Sequence, residues 1–251
     1  MRILVTFAVE AEFAPWRKIR DFEKKVISNG RASFYCGKFG DDIIEVLVTG
    51  IGPSACEESL ASYDGLRGGK PDCLISSGLA GALREVLKPG DLFVAEAVKT
   101  LKNEANSRSD IVLRENAVLK GAIPIDTLIT MARLVSSAEE KARLAFFGEA
   151  VDMESAIIMA HFTDTALPRV AIRAISDAAD EDLPIDFARC VTPQGVIRPL
   201  SLVNAIVRRP GSLPNLVRFG RQSNDAARRL SAFLDQFVVA IFAVHEKARV
   251  A

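Results

Sequence analysis

The feature of this sequence that most constrains its fold is the alternation of short, strongly apolar runs with longer segments of helical periodicity. Runs such as Arg2–Ala8 and Val170–Ile175 are typical of strands that are buried on both faces. Near the start, Asn29-Gly30 lies between two shorter runs and predicts a hairpin turn, because both residues tolerate a positive φ. Strands that alternate with helices behind one hairpin predict an α/β fold of three layers, with a mixed, largely parallel central sheet flanked by helices.

The predicted strands are Arg2–Ala8, Lys25–Ser28, Ala32–Cys36, Ile43–Val48, Asp72–Ser76, Asp91–Val98 and Val170–Ile175. The predicted helices are Glu10–Ile19, Pro53–Leu66, Glu139–Phe147, Ser155–Ala166, Leu202–Val207 and Pro214–Val244. No internal repeat or long linker separates them. We therefore expect a single domain over residues 1–251, with a basic helical extension from about residue 201.

Composition excludes several classes of protein. Hydrophobic residues make up 49% and charged residues 25%, which is typical of a globular chain. Lys+Arg and Asp+Glu both number 32, and this zero net charge argues against a nucleic-acid-binding protein. The 4 cysteines form no C-x-x-C pair and there are 2 histidines, so a zinc site is not expected. The apolar start is too short for a signal peptide and Phe237–Val244 too short to span a bilayer, which predicts a cytoplasmic location.

Ligands of open α/β sheets bind where the parallel strands end, so the residues after each predicted strand are candidates for a site. Glu12 follows the first strand and Ser176-Asp177 follows the last, while Glu154 precedes a predicted helix. Two glycine-rich turns, Gly50-Ile51-Gly52 and Ser76–Gly81, follow other strands. Several carboxylates and two turns should therefore converge on one edge of the sheet.

Each candidate alone also has a purely structural explanation. A tight turn requires glycines such as those of Gly50-x-Gly52, and Ser76–Gly81 has neither the lysine of a P-loop nor the glycine spacing of a dinucleotide-binding turn. Glu12 and Glu154 suit the first turn of a helix, and Asp177 suits an N-cap. It is their shared position at strand ends that favours a functional site.

Six segments carry a family resemblance: Phe7–Glu12, Thr49–Pro53, Ser76–Gly81, Lys88–Asp91, Val151–Ser155 and Arg173–Asp177. Together, and in this order, they resemble the superfamily of purine nucleoside phosphorylases and methylthioadenosine/adenosylhomocysteine nucleosidases, over residues 1 to about 180. The tail segments Asp182–Pro184 and Arg208–Pro214 resemble a narrower bacterial branch, the hopanoid-associated phosphorylases. That branch is thought to remove adenine from an adenosyl-hopane lipid.

The resemblance implies an enzyme that cleaves the bond between a nucleobase and ribose, with water as the nucleophile in nucleosidases and phosphate in phosphorylases. Asp177 would protonate the leaving purine at N7, Glu154 would hold the ribose hydroxyls, and Glu12 would orient or deprotonate a water molecule. Met153 would pack against the sugar and Arg173 would support the carboxylates. Further substrate-binding candidates are Ser76, Gly78, Gly50, Gly52 and Ser176. The resemblance implies a homodimer and no metal or organic cofactor, with phosphate as co-substrate in the phosphorylase version.

This chemistry fits the residue types. A purine anion is a poor leaving group, so the acid must keep its proton near neutral pH. Burial beside other carboxylates shifts the pKa of a carboxyl group upward, in that direction. Anionic groups also stabilise the ribosyl cation that the departing base leaves behind.

The sequence departs from the family pattern in two places. Residues 100–121 are short and polar where nucleosidases carry a longer aromatic insert, and Ile123–Ile129 lacks the phenylalanine that stacks on the purine. Both changes suit a wider pocket for a bulky 5′ substituent. They equally suit a catalytically impaired nucleoside-binding protein or a futalosine-type hydrolase.

The nucleophile is the second open question. Phosphorylases of this superfamily place an arginine directly after the strand that ends here at Ile75, whereas this chain has Ser76-Ser77. Together with Glu12, this favours water. The narrower branch is named for phosphorolysis, so the two indications disagree.

The zero net charge conceals an asymmetry. Residues 191–251 hold nine basic and three acidic residues, a net charge of +6, so residues 1–190 carry −6. A helix packed on the core with a solvated basic face explains this tail. The alternative is a basic amphipathic surface that contacts an anionic membrane carrying a lipid-linked substrate.

Overall fold

The computed structural model of the chain describes residues 1–25, 33–66, 70–101, 107–162, 166–184 and 213–250. Its strands are β1 (Arg2–Phe7), β2 (Glu23–Lys25), β3 (Ser33–Phe39), β4 (Asp42–Val48), β5 (Cys73–Ala82), β6 (Leu92–Thr100), β7 (Ser107–Arg108), β8 (Ile123–Thr130), β9 (Ala150–Asp152) and β10 (Arg169–Asp177). Its helices are α1 (Glu10–Phe13), α2 (Pro53–Leu66), α3 (Ile111–Leu119), α4 (Ala138–Leu144), α5 (Ser155–His161) and α6 (Leu213–Val250).

The middle of the sheet is formed by four parallel strands. β1 pairs with β4 on one side and with β5 on the other, and β5 in turn pairs with β10. β3 and β2 extend the sheet beyond β4 in antiparallel pairing. The predicted α/β class with a mixed sheet is confirmed, and the carboxyl ends of β1, β4, β5 and β10 meet at one edge.

The other half of the sheet closes on itself. β10 pairs with β6, β6 with β8, β8 with β9, and β9 with β5, which returns to β10. One buried cluster draws a side chain from each of these five strands, namely Ala80, Phe93, Leu128, Ala150 and Ile175. β5 and β10 are therefore held by neighbours on both sides, and each ends at the same edge.

Side chains of β1 alternate between two layers of helices. Ile3 and Val5 pack in one cluster with Phe237 of α6, whereas Leu4 packs with Leu60 of α2 and with α5. Successive side chains of a strand point to opposite faces of the sheet, so this alternation requires helices on both faces. The three-layer arrangement that the sequence predicts follows from it.

Local chemistry changes two predicted elements. The prediction of one helix over Glu10–Ile19 is wrong: α1 ends at Phe13, and a separate 3-10 turn covers Trp16–Lys18. Pro15 lies between them and has no backbone N–H to donate to the preceding turn. β2 and β3 pair as a hairpin requires, but β2 begins at Glu23 and the Asn29-Gly30 turn lies outside the described residues.

Some regular structure lies where the sequence indicated loops. α3 occupies part of the 100–121 segment, and Asp110 caps it by accepting backbone hydrogen bonds of 3.0 Å from Val112 and Leu113. β8 covers Ile123–Ile129, the stretch without the stacking phenylalanine, and β5 continues through Ser76–Gly81. The glycines of β5 are typical of a loop. This part of the chain nevertheless forms a strand, because it gains its stability from pairing with β10 and β9.

The predicted helix Pro214–Val244 is confirmed within the longer α6, while Leu202–Val207 lies outside the described residues. Four of the apolar side chains assigned to the amphipathic tail are buried in the core: Leu230, Phe233, Leu234 and Phe237. These residues show a helix packed on the sheet, and membrane contact by the tail stays a prediction. In the described part of the chain, no helix is both long enough and apolar enough to cross a bilayer.

Candidate active site

A cavity of about 820 Å³ opens at the edge where the parallel strands end. Its wall combines the turn after β1, the Gly52 turn after β4, the end of β5, residues 152–154 after β9, and the end of β10. The segment 132–135 and one side of α6 complete the wall. The predicted convergence of strand ends on one site is therefore what the fold produces.

Glu12 lies on this wall, and its carboxylate accepts hydrogen bonds from backbone N–H groups of two different strand ends. Ala8 donates to Oε2 at 3.0 Å and Leu79 to Oε1 at 3.2 Å. Burial raises the pKa of Glu12, against the lowering effect of Arg173 and of these N–H groups. Glu12 thus joins the turn after β1 to β5 and holds its proton more tightly than an exposed glutamate does.

Glu154 lies beside it and is anchored by the turn after β4. The Gly52 N–H donates to Oε1 of Glu154 at 2.7 Å. Gly52 has a φ of +83°, a backbone conformation that a side chain would disfavour. Burial, and then the charge of Asp152, raises the pKa of Glu154 to about 8. We call Glu12 and Glu154 together the glutamate end of the cavity.

Arg173 neutralises the glutamate end from behind. Its guanidinium is almost fully buried and contacts Asp152 at 2.8 Å, Ser155 at 2.7 Å and Ser76 at 3.2 Å. A Cβ on Gly78 would lie 2.5 Å from Nη1 of Arg173, so a glycine is needed at that position. Because Nε and Nη2 of Arg173 bind these partners, its charge balances the buried carboxylates and has a structural role.

The opposite end of the cavity holds Asp177, the last residue of β10. The Ser176 hydroxyl donates to Oδ1 of Asp177 at 2.5 Å, and the ammonium group of Lys141 lies 2.5 Å from Oδ2. Lys141 comes from α4, has no solvent exposure, and also donates to the carbonyls of Ala178 and Glu181. We call Asp177 with Ser176 the aspartate end.

The predicted site residues fall into two groups. Those on the cavity wall are Glu12, Gly52, Met153, Glu154, Ser176 and Asp177. Those behind it are Gly50, Ser76, Gly78 and Arg173, which support the wall through the backbone or through side-chain hydrogen bonds. Gly50, for example, donates its N–H to the Ala8 carbonyl at 2.9 Å.

Sequence reasoning missed three contributors to the site. Lys141 gives no signal, because a lysine in a predicted helix is ordinarily exposed. Residues 132–135 line the cavity just beyond the stretch Ile123–Ile129, and they too contain no aromatic side chain. Phe219 of α6 supplies an aromatic ring to the wall instead, from a tail that the sequence suggested would pack on the core or contact a membrane.

Within the ranges that the structure describes, no group of three or more His, Cys, Asp and Glu side chains has an arrangement that could hold a metal ion. The cavity therefore offers two kinds of carboxyl group: glutamates whose pKa values burial raises at one end, and an aspartate paired with a lysine at the other.

A family model decides where the chain belongs. The model of the phosphorylase superfamily matches residues 2–208, most of the chain. The chain belongs to the phosphorylase superfamily. The resemblance drawn from its motifs is thereby confirmed at this level, whereas the narrower hopanoid-associated branch stays a prediction.

Curated relatives within this superfamily include the 5′-methylthioadenosine/S-adenosylhomocysteine nucleosidase of Buchnera aphidicola, which is 25% identical over 242 residues, covering 84% of this chain and 98% of the relative. A nucleosidase of the same name from a Geobacillus species is 28% identical over 213 residues, covering 74% and 90%.

Solved structures agree on the fold. A Helicobacter pylori 5′-methylthioadenosine/S-adenosylhomocysteine nucleosidase has a TM-score of 0.72 at 21% identity, covering 96% of this chain and 98% of that one. The native futalosine hydrolase of the same organism gives the same TM-score, identity and coverage. At this identity the two matches show that the chain shares the fold of these proteins.

Proposed function

We propose that this protein cleaves the N-glycosidic bond of an adenine-type nucleoside, with water as the nucleophile. The observation that carries the proposal is the single cavity with two buried glutamates at one end and one hydrogen-bonded aspartate at the other. Its closest chemical parallel is glycoside hydrolysis, in which separate carboxyl groups serve the leaving group and the water. The curated relatives named above are nucleosidases acting on methylthioadenosine and adenosylhomocysteine.

In this proposal the base binds at the aspartate end. Asp177 donates a proton to N7 of the purine, so that the electron pair of the breaking bond between C1′ and N9 leaves on a neutral base. Ser176 fixes the orientation of the carboxyl group through the bond to Oδ1. The hydroxyl groups of ribose bind at the glutamate end against Glu154, with Met153 beside the sugar.

Glu12 then takes a proton from the water that attacks C1′. The backbone N–H groups of Ala8, Val9 and Leu79 hold the carboxylate in one position, which general base catalysis requires. An ionised carboxylate at the glutamate end also stabilises the ribosyl cation, because a buried anion interacts strongly across a region without water.

The charges around the cavity favour water over phosphate. Phosphate binding normally uses arginine or lysine side chains as donors. Among the described residues, Arg173 is committed to Asp152 and two serines, Lys141 to Asp177 and two carbonyls, and Arg133 at the rim pairs with Glu140. On the described wall, a dianion would meet Glu12 and Glu154.

The volume of the cavity indicates how large a 5′ substituent it can hold. A volume of about 820 Å³ lies near the upper end of the range for small-molecule sites and exceeds the needs of a bare nucleoside. The side formed by α6, including Phe219, is where an extended 5′ group would lie. This supports a second candidate, a futalosine-type hydrolase, in agreement with the solved futalosine hydrolase of the same fold.

The test is an assay of base release from methylthioadenosine, adenosine, inosine and futalosine, each with and without phosphate. We expect adenine from at least one adenine nucleoside at a rate that phosphate leaves unchanged. A rate that depends on phosphate would contradict the choice of water. Release from futalosine alone would select the second candidate, and tight binding without any release would show a nucleoside-binding protein.

Two features of the assembled enzyme belong to the same proposal. We expect a cytoplasmic homodimer, as the family resemblance implies. Light scattering on the purified full-length protein measures the mass directly, and a monomer near 27.2 kDa at assay concentration would contradict it.

A further inference from the structure

The aspartate end contains a buried ion pair, between Lys141 and Asp177, whose lysine has no role in the mechanism proposed above. Lys141 has no solvent exposure, and its Nζ lies 2.5 Å from Oδ2 of Asp177. If Asp177 is the general acid, this pairing raises a difficulty: an ammonium group beside a carboxyl group favours the carboxylate, which has no proton to give.

The contacts of Lys141 resolve the difficulty. An ammonium group has three N–H donors, and the three acceptors of Lys141 are Oδ2 of Asp177, the Ala178 carbonyl at 2.7 Å and the Glu181 carbonyl at 2.8 Å. If one proton moves from Nζ to Oδ2, the neutral amine still donates to both carbonyls. Its lone pair then accepts the hydrogen bond from the new carboxyl O–H. Both protonation states therefore use the same three contacts, and neither requires atoms to rearrange.

We propose that Lys141 is a positioning residue that supplies, through Asp177, the proton delivered to the leaving base. This inference rests on the function proposed above and goes beyond it, since it adds a residue from α4 to a site otherwise built from strand ends. Lys141 does not line the cavity, so it acts on the substrate only through Asp177.

Two proton transfers carry the proton from Lys141 to the base. The Nζ–H bond of Lys141 breaks as an O–H bond forms at Oδ2 of Asp177. The O–H then turns from Nζ towards N7 of the purine, and it breaks as the N7–H bond forms and the C1′–N9 electron pair passes into the base. Water bonds to C1′ and gives its proton to Glu12. The enzyme then holds a neutral lysine and a protonated Glu12, and exchange with solvent after product release returns one proton to Lys141 and removes one from Glu12.

Other charged groups near the pair have partners of their own. On α4 and the loop after β10, Glu140 pairs with Arg133, Glu181 with Arg218 of α6, and Asp182 accepts the backbone N–H of Ala138. At the far side of the cavity, Glu12, Asp152 and Glu154 are grouped with Arg173. These groups are the same in the wild type and in every Lys141 variant, so a difference between the variants reports on Lys141.

The experiment compares kcat for base release between about pH 5.5 and 8 in the wild type, Lys141→Met, Lys141→Arg and Arg143→Met. Methionine keeps the length of the side chain and removes the proton. Arginine keeps the charge but does not give up a proton in this range. Arg143 is an exposed residue of the same helix that pairs with Glu139, so Arg143→Met is the matched control.

We expect the loss in Lys141→Met to grow with pH, from about tenfold at pH 5.5, where protons from solvent are more abundant, to about 100-fold or more at pH 8. Lys141→Arg should be no better than Lys141→Met at pH 8 and worse at pH 5.5, because its guanidinium passes on no proton yet still occupies Oδ2 of Asp177. KM should change far less than kcat, and Arg143→Met should match the wild type throughout.

Three results would overturn the inference. A loss in Lys141→Met that is equal at every pH would show a structural role, as would recovery of wild-type kcat in Lys141→Arg. Thermal melting identifies a variant that fails to fold, and Lys141→Arg then carries the test alone. If the wild type itself releases no base from any nucleoside, the proposed function fails, and the inference fails with it.

Discussion

The two ends of the cavity hold carboxyl groups in opposite ways. At the glutamate end, Glu12 and Glu154 are crowded beside Asp152 and share one buried arginine, and burial raises the pKa of both glutamates. At the aspartate end, Lys141 pairs with Oδ2 of Asp177, and the Ser176 hydroxyl donates a hydrogen bond to Oδ1.

This difference matches the two tasks of a nucleosidase. A site that must attract a ribosyl cation and accept a proton from water benefits from anionic groups in excess of cations. A site that must give up a proton repeatedly benefits from a nearby group that replaces it. The fold provides both because the glutamate end depends on backbone N–H groups of Ala8, Gly52 and Leu79, while the aspartate end depends on a side chain from a helix.

Asp177→Asn should break the aspartate end and leave the glutamate end intact. The amide keeps the size of the side chain but cannot pass on a proton, so we expect kcat for adenine release to fall by about 1,000-fold or more. Asp180→Asn, an exposed change three residues further along, serves as the control. Asp177→Asn with near wild-type turnover would remove the general acid from the mechanism.

Arg173→Met should break the glutamate end, and its main effect should be on stability. The substitution leaves Asp152 buried without its counter-charge, which typically costs about 3–5 kcal/mol in the free energy of unfolding. Urea denaturation measures this loss. Arg143→Met, which removes a surface ion pair, should cost less than about 1 kcal/mol. Equal losses in the two variants would mean that Arg173 is not the counter-charge described here.

Glu154→Gln tests the glutamate end through the pH dependence of the free energy of unfolding. The pKa of Glu154 is about 8 in the folded protein, above its ordinary value of 4.5, so the unfolded chain loses this proton first as pH rises. Between these two values, rising pH therefore destabilises the fold of the wild type. The glutamine variant lacks this titration, and its stability relative to the wild type should increase from pH 5 to pH 8 by on the order of 1 kcal/mol or more. A pH-independent difference in urea denaturation would contradict the raised pKa.

The glutamate end could be predicted from the sequence to a greater extent than the aspartate end. Glu12 and Glu154 each lie beside a strand end or a glycine turn in the chain itself, so local motifs indicate them. Asp177 was found in the same way. Its partner Lys141 lies 36 positions earlier in a charged helix whose sequence resembles any solvated surface. Local sequence patterns do not predict a contact between two residues so far apart in the chain.

The same limit explains the errors in the fold. Pro15 interrupts a helix whose apolar periodicity continues past it, and periodicity alone does not register the missing N–H. β5 has too many glycines and serines to resemble a strand beyond Ser76, yet β10 and β9 pair with that part of it. Tertiary pairing there overrides local propensity.

β5 has one further consequence for how such an enzyme can diversify. It touches both ends of the cavity: Gly78 and Leu79 contact Arg173 or Glu12, and Gly81 packs against Asp177. Three residues of strand, about 10 Å, therefore set the separation of Glu12 and Asp177. Residues 132–135 and the N-terminal turns of α6 line the cavity without taking part in that spacing. Changes there would reshape the rim for a different ligand and leave the distance between the two carboxyl groups as it is.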